Sequence, residues 1–290
     1  KNQIKEKIFS DINQISKKKK FKGLKFSNSP ILMGVLNLTP NSFSDGGKYN
    51  KKKLGERHAK KLIKDGCGIL DIGGEATNPG SKKVNLNEEW KRIFPTLKKI
   101  KNLGKFISLD TRKSLIMKRG IKNKINLIND ISGLAYDNDT INVLKNTKIP
   151  FVIHHIQGEP STMQKNPKYN NVVLDIYDFF EKKIKYLRLK GIKHNNIILD
   201  PGIGFGKNLK HNITLLRNIS IFHSLGFPVM IGTSRKRFIK SISGVNDSKE
   251  RLGGTISSCL FAIMQGVQIL RVHDVNEVNQ SVKVFNSLNF

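Results

Sequence analysis

The chain has 290 residues, with 52 lysines and arginines, 22 aspartates and glutamates, and a formal net charge of +30. This length fits one α/β barrel of about 250 residues plus an extension better than two full domains. The charge is mostly lysine spread over predicted helices, with no arginine-rich block among aromatics. We therefore interpret it as solvated helix faces and expect no nucleic-acid partner. A positive field would still attract an anionic substrate.

The cysteine content and the apolar runs bear on the compartment. Cys67 and Cys259 are the only cysteines, and both lie in apolar segments. Two buried thiols are typical of a reducing compartment. No apolar run approaches the length of a membrane span, and the lysine-rich start lacks the apolar core of a signal peptide. We expect a cytoplasmic protein with no membrane partner.

The chain opens with a polar stretch and then alternates strands with helices. We assign residues 1–30 to an N-terminal extension with a helix over 4–15, and residues 31–290 to one domain. The first strand, 31–38, is apolar throughout, as a strand buried on both faces should be. A loop rich in Gly, Ser and Asn follows over 39–50 and is long enough to act as a lid. The next helix covers Lys51–Lys64 and stops at Gly66.

The same strand-then-helix unit recurs about eight times. Seven further strands are predicted over 67–74, 106–110, 125–131, 151–156, 197–200, 228–232 and 269–272. Short right-handed connections between parallel strands favour a single closed (β/α)8 barrel of the TIM type. An open doubly wound sheet is the alternative, but the turn after the first strand lacks a dinucleotide-type glycine pattern.

Polar side chains follow nearly every predicted strand. Each has an ordinary structural explanation, such as a helix cap, a tight turn or a partnered core histidine. In a barrel, however, all the carboxyl ends of the strands meet on one face, so together they favour a binding site there. The residues are Asn37, Thr77, Asp110, Asn129, His155, Asp200, Ser234, Lys236, Arg271 and His273.

The residue types at this face indicate the ligand. Asp200, in the stretch IILDPGIGFGK, and Asn129 suit a flat heterocycle that presents N–H donors and an amide edge. Lys236 and Arg271 add cations, and Arg271 can stack on such a ring. The loops after strands seven and eight of barrels commonly bind phosphate, so an oxyanion is expected near them.

The remaining chemistry points to a substrate that carries its own leaving group. Asn37 is a plausible oxygen ligand for a Mg²⁺ ion that also touches phosphate. The sequence has no cluster with zinc-ligand spacing and no nucleophile–base pair. The protein would then supply binding and charge stabilisation.

Eight motifs, in order from residue 31 to the end, make the chain similar to the dihydropteroate synthase family. They are MGVLNLTPNSFSDGGKYN (33–50), LDIGGEATNPGS (70–81), SLDTRKS (108–114), INDISG (128–133), HHIQGEPSTMQ (154–164), LDPGIGFGKN (199–208), IGTSRKRFI (231–239) and ILRVHDV (269–275). The resemblance implies a barrel that joins 6-hydroxymethyl-7,8-dihydropterin diphosphate to p-aminobenzoate, giving 7,8-dihydropteroate and diphosphate in folate synthesis.

The resemblance also assigns roles at matching positions. The implied pterin-binding residues, several of them catalytic, are Thr77, Asp110, Asn129, Asp200, Lys236 and Arg271. The implied diphosphate-binding residues are Asn37, Arg271 and His273, with Asn37 as the Mg²⁺ ligand. The implied p-aminobenzoate pocket, which in this family also takes sulfonamides, is formed by Pro79, Phe205 and Ser234. The family is often dimeric, and the apolar helix near 253–265 is the candidate contact.

Three positions depart from the family pattern. Asn78 replaces the usual Arg of the second loop, Asn41 replaces an Asp of the first loop, and His154 stands where an apolar residue is common. We expect a working enzyme with altered loop energetics. The alternatives are another pterin-binding barrel, such as a methyltetrahydrofolate-dependent methyltransferase, and a non-enzymatic basic nucleic-acid-binding protein or pterin-binding relic.

Overall fold

The structure is a computed structural model that describes residues 2–16, 19, 21–27, 29–39, 51–76, 80–81 and 83–289. Its parallel strands follow the order β6-β5-β4-β3-β2-β1-β8-β7. The sheet closes through a single parallel bridge between Leu199 and Val229, and the Leu199 N–H donates to the carbonyl of Pro228 at 2.9 Å. The eight strands are β1 Ile31–Asn37, β2 Ile69–Gly73, β3 Phe106–Asp110, β4 Leu127–Asp130, β5 Phe151–His154, β6 Ile197–Asp200, β7 Met230–Ile231 and β8 Ile269–Val272.

Helices follow the strands around the outside, which confirms the predicted (β/α)8 barrel. The α-helices are α1 Asn2–Ser16, α2 Lys51–Lys64, α3 Leu86–Ile100, α4 Ser114–Lys122, α5 Thr140–Thr147, α6 Val172–Leu189, α7 Leu209–Arg217, α8 Arg237–Ser243, α9 Leu252–Met264 and α10 Val275–Asn289. Helix α3 begins at the expected cap, where Asn85 accepts from the Glu88 N–H at 2.9 Å. In the part of the chain that the structure describes, no helix is long and apolar enough to cross a membrane.

The helices bury their apolar faces against the outer side of the barrel. Helix α6 shows the predicted spacing, since Ile176, Phe180, Ile184 and Leu187 are all buried. Burial of such side chains stabilises the fold by about 1.5–3 kcal/mol each. The packed helices hold the strands, and therefore the strand ends, in fixed positions.

The inside of the barrel has its own apolar layer. Its buried members come one from each of seven strands and are joined from below by Phe21 of the N-terminal segment. These residues are Met33, Ile69, Leu127, Val152, Ile198, Met230 and Ile269. Because side chains alternate along a strand, the residue two positions later in each strand also faces the interior, one layer nearer the carboxyl ends.

The N-terminal helix lies outside the barrel wall. Helix α1 packs against a 3-10 helix over Ile219–Leu225, and the nearby Lys19 ammonium donates to the carbonyl of His223 at 3.2 Å. The predicted strand over 228–232 is shorter in the structure, since only Met230–Ile231 form regular pairs. Pro228 has no N–H to contribute to the ladder.

Candidate functional site

The second interior layer of the barrel is polar. In five strands the residue two positions after the apolar layer carries a charged or hydrogen-bonding side chain. They are Asp71, Asn129, His154, Asp200 and Arg271. Strand alternation therefore converts one apolar ring into a polar ring directly above it, at the end of the barrel where sites of this fold are found.

Arg271 joins two of the carboxylates. Its Nε donates to Asp71 at 2.7 Å, and its Nη2 donates to Asp110 at 2.9 Å. Asp71 is fully buried and Asp110 is nearly so. Burial, together with the nearby Asp71 carboxylate, raises the pKa of Asp110. The two acids hold the guanidinium plane in one orientation beside the ring of polar groups.

Asn129 presents an unsatisfied acceptor. Its amide nitrogen donates to Asp71 at 3.1 Å, whereas its Oδ1 is buried without a partner among the described residues. A buried polar atom that lacks a partner is unfavourable unless a ligand or water supplies one. The hydrogen bond to Asp71 also fixes which end of the amide remains for a ligand.

Asp200 begins the glycine-rich turn and is held by it. The Gly202 N–H donates to Asp200 Oδ1 at 2.8 Å. Gly202 has φ +71°, and a Cβ there would lie 1.9 Å from the carbonyl oxygen of His155, so only glycine fits. Burial raises the pKa of Asp200 to about 6, although that hydrogen bond and the nearby cations oppose the shift. Asp200 is therefore mostly ionised at pH 7.

Two lysines lie close to Phe205, which belongs to the same glycine-rich turn as Asp200. The Lys236 ammonium lies 4.0 Å from the centre of the Phe205 ring. Lys207 is 2% exposed, and its ammonium donates to the Phe205 carbonyl and to His155 Nδ1, each at 3.0 Å. Burial lowers the pKa of Lys207 to about 7 and that of Lys236 to about 8. Both lysines fix the position of the aromatic ring.

The loop after β7 is fastened to the start of α10. His273 contacts the Ser234 hydroxyl through its backbone N–H at 3.2 Å and through Nδ1 at 3.1 Å. Arg235 has φ +60°, an uncommon conformation for a residue with a side chain, and pairs with Asp274. The Arg251 guanidinium donates to the Arg235 carbonyl at 3.0 Å. These contacts hold Ser234 and Lys236 toward the barrel axis.

A cavity of about 580 Å³ opens at this face. It brings together eight residues that the sequence singled out: Asn37, Asn129, Asp200, Phe205, Ser234, Lys236, Arg271 and His273. Asp110 stands behind them in contact with Arg271. Thr77 and Pro79, with Asn41 and Asn78, lie outside the described residues, as does most of the predicted lid.

His155 does not line this cavity, contrary to the sequence prediction that it joins the other strand ends. Its Nδ1 accepts from Lys207, and its ring packs edge-on against Phe179 at 4.9 Å. The preceding residue, His154, lines the cavity instead. Side chains alternate along a strand, so His154 points into the barrel as Val152 does, whereas His155 points to the other side.

Three residues of this face are not among the predicted site residues: Asp71, Lys207 and His154, which the sequence marks only as a departure from the family pattern. Asp71 was passed over because it lies inside an apolar strand. Asp71 and His154 each lie two positions after a residue of the apolar layer. Because side chains alternate along a strand, both therefore face the inside of the barrel. Lys207 belongs to the glycine-rich stretch, but nothing in the sequence distinguishes it from the many exposed lysines.

The described residues contain no group of three or more His, Cys, Asp or Glu side chains placed to hold a metal ion. Asn37 lies at the end of β1 and lines the cavity together with Arg271 and His273. One amide oxygen is compatible with a Mg²⁺ ion whose other ligands are phosphate oxygens and water.

The geometry agrees with comparisons to known proteins. The sequence profile described as pterin binding enzyme matches residues 33–273. A dihydropteroate synthase from Synechocystis is 40% identical over 258 residues, which is 89% of each chain. The structure of a Xanthomonas albilineans dihydropteroate synthase with 4-aminobenzoic acid superposes with a TM-score of 0.85 at 32% identity, covering 90% of this chain and 93% of the other. A Yersinia pestis dihydropteroate synthase in a sulfonamide drug complex gives 0.86 at 35% identity, covering 93% and 98%.

Proposed function

Because the chain belongs to the pterin binding enzyme family and its activity is that of a dihydropteroate synthase, we propose that the cavity above β1–β8 binds both substrates of that transferase. They are 6-hydroxymethyl-7,8-dihydropterin diphosphate and p-aminobenzoate, which are joined to give 7,8-dihydropteroate in folate biosynthesis. The observation that carries the site assignment is that Asn129, Asp200 and Arg271 share one cavity with His273. An acceptor pair for a heterocycle thus lies next to the Arg271 cation and the His273 imidazole, both of which can donate to phosphate oxygens.

The pterin ring fits beside the two acceptors. The free Oδ1 of Asn129 and the carboxylate of Asp200 can accept from the amino and ring N–H groups of a pterin. Lys236 supplies a donor on the same side, and Arg271 offers its guanidinium plane to the ring face. Asp110 acts on the ring through its hold on Arg271.

The diphosphate fits on the side of β8 and β1. Arg271 and His273 lie there with Asn37. Burial and the neighbouring Arg271 lower the pKa of His273 to about 3, so it is a neutral hydrogen-bonding group at pH 7. Asn37 would hold a Mg²⁺ ion, which when bound offsets the charge on the phosphate oxygens. Thr77 is the further contact implied on the second loop.

The reaction exchanges one bond for another at the pterin methylene. The C–O bond to diphosphate breaks and its electron pair leaves with diphosphate, near the cations. The methylene then forms a C–N bond with the amine of p-aminobenzoate, which releases one proton to solvent. Asp200 and the acids behind Arg271 offset positive charge that develops on the pterin. Phe205 and Ser234, with Pro79, would line the p-aminobenzoate pocket.

Turnover tests this proposal directly. Purified protein with Mg²⁺, the pterin diphosphate and p-aminobenzoate is expected to form dihydropteroate and diphosphate in equal amounts, and a sulfonamide should compete with p-aminobenzoate. No dihydropteroate formation under these conditions would overturn the proposal. Binding of methyltetrahydrofolate in place of the diphosphate would favour the methyltransferase alternative.

We also propose a homodimer in the cytoplasm. Helix α9 carries the exposed apolar side chains Phe261 and Met264, which supports a contact between two copies. The buried and unpaired thiols of Cys67 and Cys259 support a reducing compartment. Light scattering on a size-exclusion column should give the mass of two chains, and a single-chain mass at micromolar concentration would contradict the dimer.

A further inference from the structure

His154 is a cavity-lining side chain that has no hydrogen-bond partner among the described residues. It lies at the end of β5, is 3% exposed, and lines the same cavity as Asp200 and Asn129. No hydrogen bond from the described residues reaches its ring, and Nδ1 is also enclosed by protein atoms. Leaving a polar ring unpartnered at a binding surface is unfavourable unless a ligand completes it.

The packing around His154 keeps the imidazole in place. Its ring meets Phe205 edge-on, with 4.5 Å between centres and 83° between planes. The ring also packs directly against the glycine-rich turn, because a Cβ at Gly202 would lie only 3.0 Å from His154 Cε1. A half turn about χ2 exchanges Nδ1 with Cδ2 and Nε2 with Cε1, so the two ring orientations fill the same space.

Burial, aided by the surrounding charges, keeps this imidazole neutral. Burial is the largest cause that lowers the pKa of His154 well below its usual value, and Lys207, Lys236, His155 and Arg271 act in the same direction. A neutral imidazole has one N–H donor and one acceptor nitrogen. It can therefore pair with either a donor or an acceptor on an uncharged ligand edge.

His223 provides an internal comparison. Its Nδ1 is also buried without a partner in the described part of the chain. However, its Nε2 contacts the Gln265 carbonyl at 2.8 Å, and it lies in the 3-10 helix over Ile219–Leu225, away from the cavity. His223 is thus anchored by the protein at one nitrogen, whereas His154 is not.

We propose that His154 is a specificity-determining residue that forms a hydrogen bond with the uncharged heterocycle bound beside Asp200. This inference rests on the proposed function, since it names an additional contact for the pterin substrate. The contact places a hydrogen-bond donor or acceptor at the end of β5, where an apolar side chain would offer neither. It predicts discrimination against ring analogues that lack a nitrogen or oxygen at that edge.

Calorimetric titration of the protein with the pterin diphosphate, before any p-aminobenzoate is added, separates binding from turnover. We expect His154→Leu to weaken pterin binding roughly tenfold, which is the worth of one net hydrogen bond. His154→Gln or His154→Asn, whose amides can replace one ring nitrogen, should restore binding to within about threefold. The KM for p-aminobenzoate should change less than the pterin affinity, because leucine keeps an apolar contact with Phe205, and the melting temperature should not fall.

The control is His223→Leu, which should leave pterin binding unchanged. If His154→Leu does not fold, His154→Met takes its place. Wild-type-like pterin affinity in the apolar variant would overturn the inference, as would equal losses in both substrates accompanied by a lower melting temperature. Absence of turnover by the wild-type protein would instead contradict the proposed function, so the two failures are distinguishable.

Discussion

Arg271 and Asp71 form an ion pair inside the barrel, with 2.7 Å between Nε and Oδ2. The residues are 200 positions apart in the chain, on β8 and β2, which flank β1 in the sheet. The same Asp71 oxygen accepts from Asn129 at 3.1 Å. One fully buried carboxylate therefore orients both an arginine and an amide of the proposed pterin site.

Asp71→Asn should damage catalysis without destroying the fold. The amide keeps the volume but loses the charge that holds Arg271, and its NH2 group would face another donor. We expect kcat/KM for the pterin diphosphate to fall by about 10- to 100-fold, as measured in steady-state assays. Asp139→Asn, at an exposed partner of Lys118, is the matched control and should have no effect. Unchanged kinetics in the Asp71 variant would contradict the role given to this pair.

Asp200→Asn should separate function from stability. In the folded protein the pKa of Asp200 is raised to about 6, chiefly by burial. A raised carboxyl pKa gives stability that is fully present below the unfolded pKa and lost as pH rises through about 6. The neutral variant should therefore gain about 1–3 kcal/mol in free energy of unfolding at pH 8 relative to the wild type, and little at pH 4.

The same substitution should abolish pterin binding by calorimetry, because the carboxylate acceptor is lost. For the wild-type protein, pterin affinity should decline below about pH 6 as Asp200 takes up a proton. Urea titrations at the two pH values give the stability comparison. Near-normal turnover of the variant would refute the assignment of Asp200 to the pocket.

Lys207→Met should act mainly on p-aminobenzoate. The ammonium of Lys207 contacts the Phe205 carbonyl and His155, and so fixes the proposed aromatic wall of that pocket. Methionine keeps the aliphatic volume but removes both hydrogen bonds. We expect the KM for p-aminobenzoate to rise roughly fivefold or more, with pterin affinity nearly constant. Lys210→Met, at an exposed position nearby, serves as the control. A parallel loss in both substrates would argue against this division of roles.

Lys113→Met should destabilise the protein strongly. The Lys113 ammonium pairs with Glu75 at 2.8 Å and also with Glu89, and all three side chains are buried. Removing the cation leaves buried carboxylates incompletely paired, which costs about 3 kcal/mol. Lys118→Met breaks an exposed pair with Asp139 and should cost much less, because water screens the two charges. Urea denaturation measures both, and equal effects would contradict the importance of burial.

The barrel was predictable because its strands carry a strong local signal. The apolar runs ending at Asp110, Asp200 and Val272 predict the bounds of β3, β6 and β8 correctly. The strands over 31–38, 67–74, 125–131, 151–156 and 228–232 are shorter in the structure than predicted. Strands buried on both faces are apolar throughout, and this is visible without knowledge of their partners. Limits on strand pairing, such as the missing N–H of Pro228, cannot be read from the pattern of apolar residues.

The site was only partly predictable because its contacts join distant strands. The polar residues at the predicted strand ends include Asn129, Asp200 and Arg271. Which carboxylate orients Arg271, however, depends on how neighbouring strands are aligned in the sheet. The choice between His154 and His155 depended on which of two adjacent side chains points inward. Alternation from the apolar layer settles that choice, but only once the strand register is known.

The most direct test of the central claim is the structure of the protein with the pterin diphosphate bound. The account predicts that the heterocycle lies within hydrogen-bond distance of Asp200 and Asn129, with the diphosphate directed toward Arg271 and His273. A heterocycle bound elsewhere on the molecule, or in this cavity with its phosphates directed away from Arg271, would contradict it.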